Sequence, residues 1–215
     1  MVTHKGDMPA SARQRLLDAA SHLFYDEGVH TVGVDRVVER AGVAKATLYA
    51  LFGNKEGLVR AYLMARDEGI RGRMTRRLAR YTTSRERLLG VFDVQDRMFR
   101  EPGFRGCAFA RANAEAPEGT SAEEVSENHR AWLRSLLLDL ARDAGAPNPE
   151  QLARQLMLLY DGAAISAWMD HNASAAHAAR SVATALVDAA LPAARGRAKK
   201  AQRGDAALEA APPLP

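Results

Sequence analysis

Apolar residues in this chain recur at every third and fourth position, and the runs stop on glycine or proline. Helices satisfy that period and strands do not. Leu16, Leu17, Ala20, Leu23 and Phe24 share one helical face, and Gly28 follows them. Val34, Val37, Val38 and Ala41 repeat the pattern until Gly42 closes it. A third run, Ala44 to Phe52, ends at Gly53, after which Asn54 is placed to cap a longer helix carrying Leu58, Val59, Tyr62 and Leu63. Further along, Thr83 with Glu86 and Ser121 with Glu124 have the spacing of capping boxes. Asn148-Pro149 is a start signal, Asp143 to Pro147 a stop signal, and Pro192 ends the last apolar helix. With no alternating run to suggest a strand, the expected fold class is all-α, with about nine helices.

The 215 residues are 47% apolar and only 6% aromatic, enough to bury a sizeable core built on alanine and leucine. The formal charge of +4 permits an anionic partner without requiring one. The single cysteine, Cys107, excludes an intramolecular disulfide framework and fits a reducing compartment. Neither a secretory leader nor a membrane-spanning run is apparent, so the expected location is cytoplasmic, with no membrane partner. Four segments are expected: a disordered N-terminus (1–9), a small helical domain (10–57), a larger helical body (58–192) and a basic, Ala/Pro-rich disordered tail (193–215).

Gly33 to Phe52 has the form of a helix-turn-helix, whose second helix enters the DNA major groove, although such a pair also occurs as an ordinary bundle element. At 100° per residue, the second helix turns Ala44, Leu48, Leu51 and Phe52 inward and Lys45, Ala46, Tyr49 and Ala50 outward. Thr47, Tyr49 and Lys55 are phosphate donors in reach of that face.

The residues themselves are more specific than the period. From Ala12 to Leu63 the chain resembles the TetR family of bacterial regulators. The likeness is densest in the turn Ala41-Gly42-Val43, the run Ala44-Lys45-Ala46-Thr47-Leu48-Tyr49-Ala50-Leu51-Phe52 and the following Gly53-Asn54-Lys55. The segment Gly103 to Cys107 looks like one branch of the same family. The resemblance implies DNA-contact roles for Lys45, Thr47, Tyr49 and Lys55, with Ala44 and Ala46 close to the bases. Ala50 and Leu51 depart from the polar or aromatic residues common there, so that end of the helix offers fewer groups to DNA.

The resemblance further implies a homodimer on a pseudo-palindromic operator, released by a small-molecule effector. The last two helices are the expected interface, through Leu152, Leu156, Leu159 and Ala163 on one and Val182, Ala185, Leu186 and Ala189 on the other. The same stripes also suit the core of a single protomer. For the effector pocket, Phe99, Phe104, Cys107, Phe109, Trp132, Leu136, Tyr160, Ile165 and Trp168 offer an apolar lining, with Asn113, His129 and Asp161 as polar anchors. That lining suits a hydrophobic or aromatic effector.

No catalytic constellation, phosphate-binding glycine loop or metal-ligand spacing is present; the six histidines stand apart from cysteine and carboxylate clusters. No cofactor is expected. Cys107 has no neighbouring thiol or histidine to activate it and is expected to be a small buried residue. The expected function is therefore a ligand-responsive repressor. The alternatives are an activator of the same fold, or an all-α small-molecule-binding protein or enzyme that uses the helix pair only for packing.

Overall fold

The computed structural model describes residues 10–115 and 119–192; both the N-terminal segment 1–9 and the tail 193–215 lie outside the described residues. Nine α-helices and no strand occur among the described residues. They are α1 (Ala12–Glu27), α2 (Val34–Ala41), α3 (Lys45–Phe52), α4 (Lys55–Leu78), α5 (Ser84–Phe99), α6 (Ala108–Glu115), α7 (Ser121–Asp143), α8 (Pro149–Met169) and α9 (Ser174–Ala190).

Side chains close several helix starts. Ser11 Oγ accepts from Gln14 N, Asn54 Oδ1 from Gly57 N and Asn148 Oδ1 from Gln151 N, satisfying amides that the first helical turn leaves without partners. Thr83 and Glu86 form the reciprocal capping box. The expected Ser121–Glu124 box is absent. Thr120 takes the cap position, and Ser121 N donates instead to Glu56 Oε1 (2.9 Å), so a carboxylate from α4 meets the start of α7. Those bonds from Ser121 hold the Glu56 carboxyl below its usual range.

Two apolar cores result. The first gathers Leu16, Ala20, Leu23 and Phe24 of α1, Val37, Leu48, and Leu58, Tyr62, Leu63 and Ile70 of α4. It does not stop at residue 57, because Ala108, Phe109 and Ala112 of α6 and Ala122 and Val125 of α7 complete it. The second core takes Met74 and Leu78 from the far end of α4 and fills the space between α5, α7, α8 and α9. Helix α4 thus contributes to both.

The outer face of α8 differs from the expected one. Leu152, Leu156 and Ala163 are buried in the protomer's own core, and Leu159 packs against it. The reason is that α8 is apolar around most of its circumference, and α5, α7 and α9 take up the Leu152–Ala163 stripe. The uncovered stripe carries Leu158 (71% exposed), Ile165 and Met169. On α9, Val182, Ala185 and Ala189 face solvent and Leu186 is half-buried, while Ala176, Ala179, Ala183 and Val187 pack inward.

Candidate nucleic-acid interface and inner cavity

The turn between α2 and α3 is set by Gly42, whose φ of 62° and ψ of 45° are left-handed and cheap only without a Cβ. Val43 N donates back to Val38 O (3.2 Å), closing α2, and α3 begins two residues later. Leu48 is the one fully buried residue of α3 and anchors it to the first core. Phe52 packs half-buried beside it, with the Arg13 guanidinium 5.4 Å from its ring centroid.

This anchoring leaves Ala44, Lys45, Ala46, Tyr49 and Ala50 on the open side, with Tyr49 45% exposed, and Thr47 half-buried at the edge. Two residues expected to face inward do not. Ala44 is exposed because it is the extended residue before α3, and Leu51 is 41% exposed because α3 has too few inward neighbours to cover it. The open face is therefore small, apolar and cationic.

Both lysines expected at DNA are occupied in the free protein. Lys45 Nζ lies 2.7 Å from Asp35 Oδ1, and that hydrogen bond raises the Lys45 pKa. Because both partners are exposed, salt or a phosphate can displace the pair readily. Lys55 Nζ donates to His30 O (3.1 Å), and partial burial pushes its pKa down. His30 N in turn donates to Glu115 Oε2 (3.0 Å) at the end of α6. Thus α6 is tied to the loop that precedes the helix-turn-helix.

Behind this unit a cavity of about 360 Å³ opens between α1, α4, α5, the loop 101–107, α6 and α8. Of the residues expected there, Phe99, Phe104, Cys107, Phe109, His129 and Tyr160 line it. The other six do not. Ile165 faces solvent, and Trp168 covers Gly106 from outside with 42% of its surface exposed. Asp161 pairs with Arg130 (2.7 Å), Asn113 is exposed, and Leu136 and Trp132 pack against the cores. Helix rotation explains the α8 part of the split, since α8 turns only Tyr160 and Ala164 toward the cavity.

Apart from His129, sequence patterning missed the polar part of the wall, which comes from distant segments: Tyr25 of α1, Arg66 and Arg73 of α4 and Gln95 of α5. Arg66 lies over the Tyr25 ring, 3.6 Å from its centroid, and Tyr25 Oη donates to Gly106 O (3.0 Å). Gln95 Nε2 donates to Tyr160 O (2.6 Å). His129 stacks on Phe109 with centroids 3.8 Å apart, and its Nδ1 lies 2.7 Å from Asp67 Oδ1. Burial pushes the His129 pKa down, so the neutral ring donates its Nδ1–H to the Asp67 carboxylate. Cys107, expected to be buried, keeps exposed surface at the cavity mouth although the crowding around it raises its thiol pKa. The described residues contain no group of three His, Cys, Asp or Glu side chains able to hold a metal, and no helix long and apolar enough to cross a membrane.

Comparison with known proteins agrees with this geometry. The family described as "Bacterial regulatory proteins, tetR family" matches residues 16–62. Over 82 residues the chain is 38% identical to the HTH-type transcriptional activator FasR of Mycolicibacterium smegmatis, covering 38% of this chain and 37% of that protein. Over 92 residues it is 33% identical to the HTH-type transcriptional repressor KstR2 of the same species, covering 43% of this chain and 45% of that protein. Each match thus spans less than half the length of the curated relative. The crystal structure of SCO4454, a TetR-family transcriptional regulator from Streptomyces coelicolor, extends the likeness to the whole body. The two superpose with a TM-score of 0.81 at 31% identity, over 84% of this chain and 96% of that one. With the helix-turn-helix, an all-helical body among the described residues and a relative matched over nearly its full length, the chain belongs to the TetR family of bacterial transcriptional regulators.

Proposed function

We propose that this chain is a ligand-responsive repressor that binds a pseudo-palindromic operator as a homodimer in the cytoplasm and releases it on binding a small effector with an apolar or aromatic body. The observation that carries this reading is α4. One end of α4 abuts α3 across Gly53 and Asn54, and its middle lines the cavity through Arg66, Ile70 and Arg73. DNA contact falls to Ala44, Lys45, Ala46, Thr47, Tyr49 and Lys55, with Tyr49 and the lysines setting register on phosphates and the small residues letting the backbone approach the base edges. The dimer forms through the uncovered faces of α8 and α9, Leu158, Ile165 and Met169 against Val182, Ala185 and Ala189. An apolar strip of this kind is shed from water on association.

Effector binding has two routes to α3. It can displace α4 directly, or it can shift the loop 101–107 and α6, whose Arg111 and Glu115 hold the Tyr25 and His30 backbone. Either displacement changes the spacing of two recognition helices in a dimer. A coupling of about 1–3 kcal/mol lowers operator affinity by the factor typical of such switches. Repression needs only occupancy of the operator, whereas activation needs a further surface for polymerase.

Fluorescence anisotropy against the DNA upstream of the protein's own coding region, with scrambled DNA as competitor, tests this reading. Selective nanomolar binding that weakens with salt supports it. Equal affinity for both DNAs, there and across a genome-wide selection, refutes it. A promoter fusion that brightens when the protein is removed fixes the sign as repression.

A further inference from the structure

We infer that the effector is an organic anion, a carboxylate whose apolar body lies against Phe99, Phe104 and Phe109 and whose head group meets Arg73 and Arg66. This deepens the reading of the cavity as the effector site and rests on it. Arg66 and Arg73 are two helical turns apart on α4 and so project from one face into the same space. The Nε atoms of both are buried without a hydrogen-bond partner, and neither guanidinium forms an ion pair among the described residues. Their neighbours differ: Arg71 holds Asp67 (2.7 Å), and Arg77, though its Nε is also unpartnered, keeps Asp93 at 4.0 Å. A buried guanidinium donor left unmatched is costly, and a planar carboxylate matches its fork geometry.

The carboxylates near the cavity are already engaged or lie at its mouth. Asp67 accepts from Arg71 and His129, and Asp161 faces Arg130. Asp26 is an exposed rim residue 3.6 Å from Arg105, and Glu101 is exposed on the same rim. The inner wall therefore carries two guanidinium groups with no carboxylate paired to them, Arg66 resting on the Tyr25 ring, while the rim is mixed. Gln95 adds a second, independent sign of a polar guest. It is 1% exposed and lines the cavity, and its Oε1 has no partner although its Nε2 is bonded. The rest of the lining is largely aromatic: Phe99 and Phe104 lie 4.8 Å apart, and Phe109 is covered on one side by His129. A charged head and an apolar body on one ligand satisfy both halves at once.

The test is calorimetric titration of the full chain with octanoate, decanoate and cinnamate, each paired with the alcohol of the same skeleton. The expected result is that at least one carboxylate binds about tenfold or more tightly than its alcohol. Arg73→Gln and Arg66→Gln should each abolish that preference with unchanged circular dichroism, and Arg73→Lys should keep part of it. Acids no better than alcohols, including equal absence of binding, overturn the inference, as does a preference that survives in the Arg66→Gln/Arg73→Gln double variant. These titrations contain no DNA, so their failure leaves the regulator reading to the anisotropy experiment. Loss of DNA selectivity with intact carboxylate binding would fault that reading alone.

Discussion

Gly57 and Gly69 both lie in α4, and the same substitution at the two has opposite consequences. An added Cβ at Gly57 would sit 2.0 Å from the carbonyl oxygen of Phe52, the last residue of α3. Cβ contacts under 3.0 Å essentially never occur, so alanine must open the α3–α4 joint by about 1 Å. The obstacle is backbone, not the end of a flexible side chain that can swing aside. Overpacking of this kind costs about 1–3 kcal/mol. It outweighs the roughly 1 kcal/mol that alanine gains over glycine in a helix. At Gly69 the nearest atom is Arg73 Nη1 at 3.7 Å, an ordinary contact, so only the gain remains. Gly57→Ala should therefore lower Tm by about 2–6 °C and Gly69→Ala raise it by about 2–4 °C. Scanning calorimetry measures both. Because the moved atoms belong to α3, Gly57→Ala should also weaken DNA binding about tenfold or more in the anisotropy assay, while Gly69→Ala leaves it unchanged. A Gly57→Ala protein as stable as the parent with undiminished DNA affinity would show that α4 does not set the position of α3 through this contact.

Other perturbations probe the body of the molecule. Leu158→Glu with Val182→Glu should halve the mass in sedimentation velocity without loss of helicity; a persistent dimer would move the interface off the α8–α9 face. Lowering the pH from about 7 to about 5 should reduce stability, because the folded His129 titrates below its unfolded value near 6.5 and the unfolded chain takes up the proton first. His129→Gln should flatten that pH slope in denaturant melts, and an unchanged slope would remove His129 as its source. Thr83→Ala removes one side of the α5 capping box and should cost about 1 kcal/mol, read as a Tm lower by about 2–4 °C; no change would mean that the cap is redundant with α5 packing.

Helix ends were legible because caps act locally: Ser11, Asn54, Thr83 and Asn148 bond to amides within three residues of themselves. The helix-turn-helix was legible for the same reason, since Gly42, Leu48 and Phe52 lie within one short stretch. Leu51 escaped because periodicity states which face a residue occupies and not whether a neighbour exists to cover it. Helix α8 defeated pattern reading differently. Its apolar residues nearly encircle it, so the stripe that faces the core depends on where α5, α7 and α9 arrive. The cavity was half visible. Its aromatic wall comes largely from residues near 99–109, whereas Tyr25, Arg66 and Gln95 belong to three helices brought together only by tertiary packing. Nothing in the spacing of Arg66 and Arg73 distinguished them from the surrounding arginines of α4.

The bond from Lys55 to the His30 carbonyl uses one of the three donors of that ammonium and fixes where the other two can point. One donor can stay on the His30 carbonyl while another meets a phosphate, and contact with DNA would then tie the DNA backbone to the loop before α2. Counterion release offers a way to detect a phosphate contact by this amine, since the slope of log affinity against log salt becomes shallower by about 0.9 for each phosphate that is no longer neutralised. Comparing that slope between the parent chain and Lys55→Ala reveals whether the amine meets a phosphate. Comparing it again in Glu115→Gln, where the other side of His30 is loosened, shows whether α6 steadies that contact.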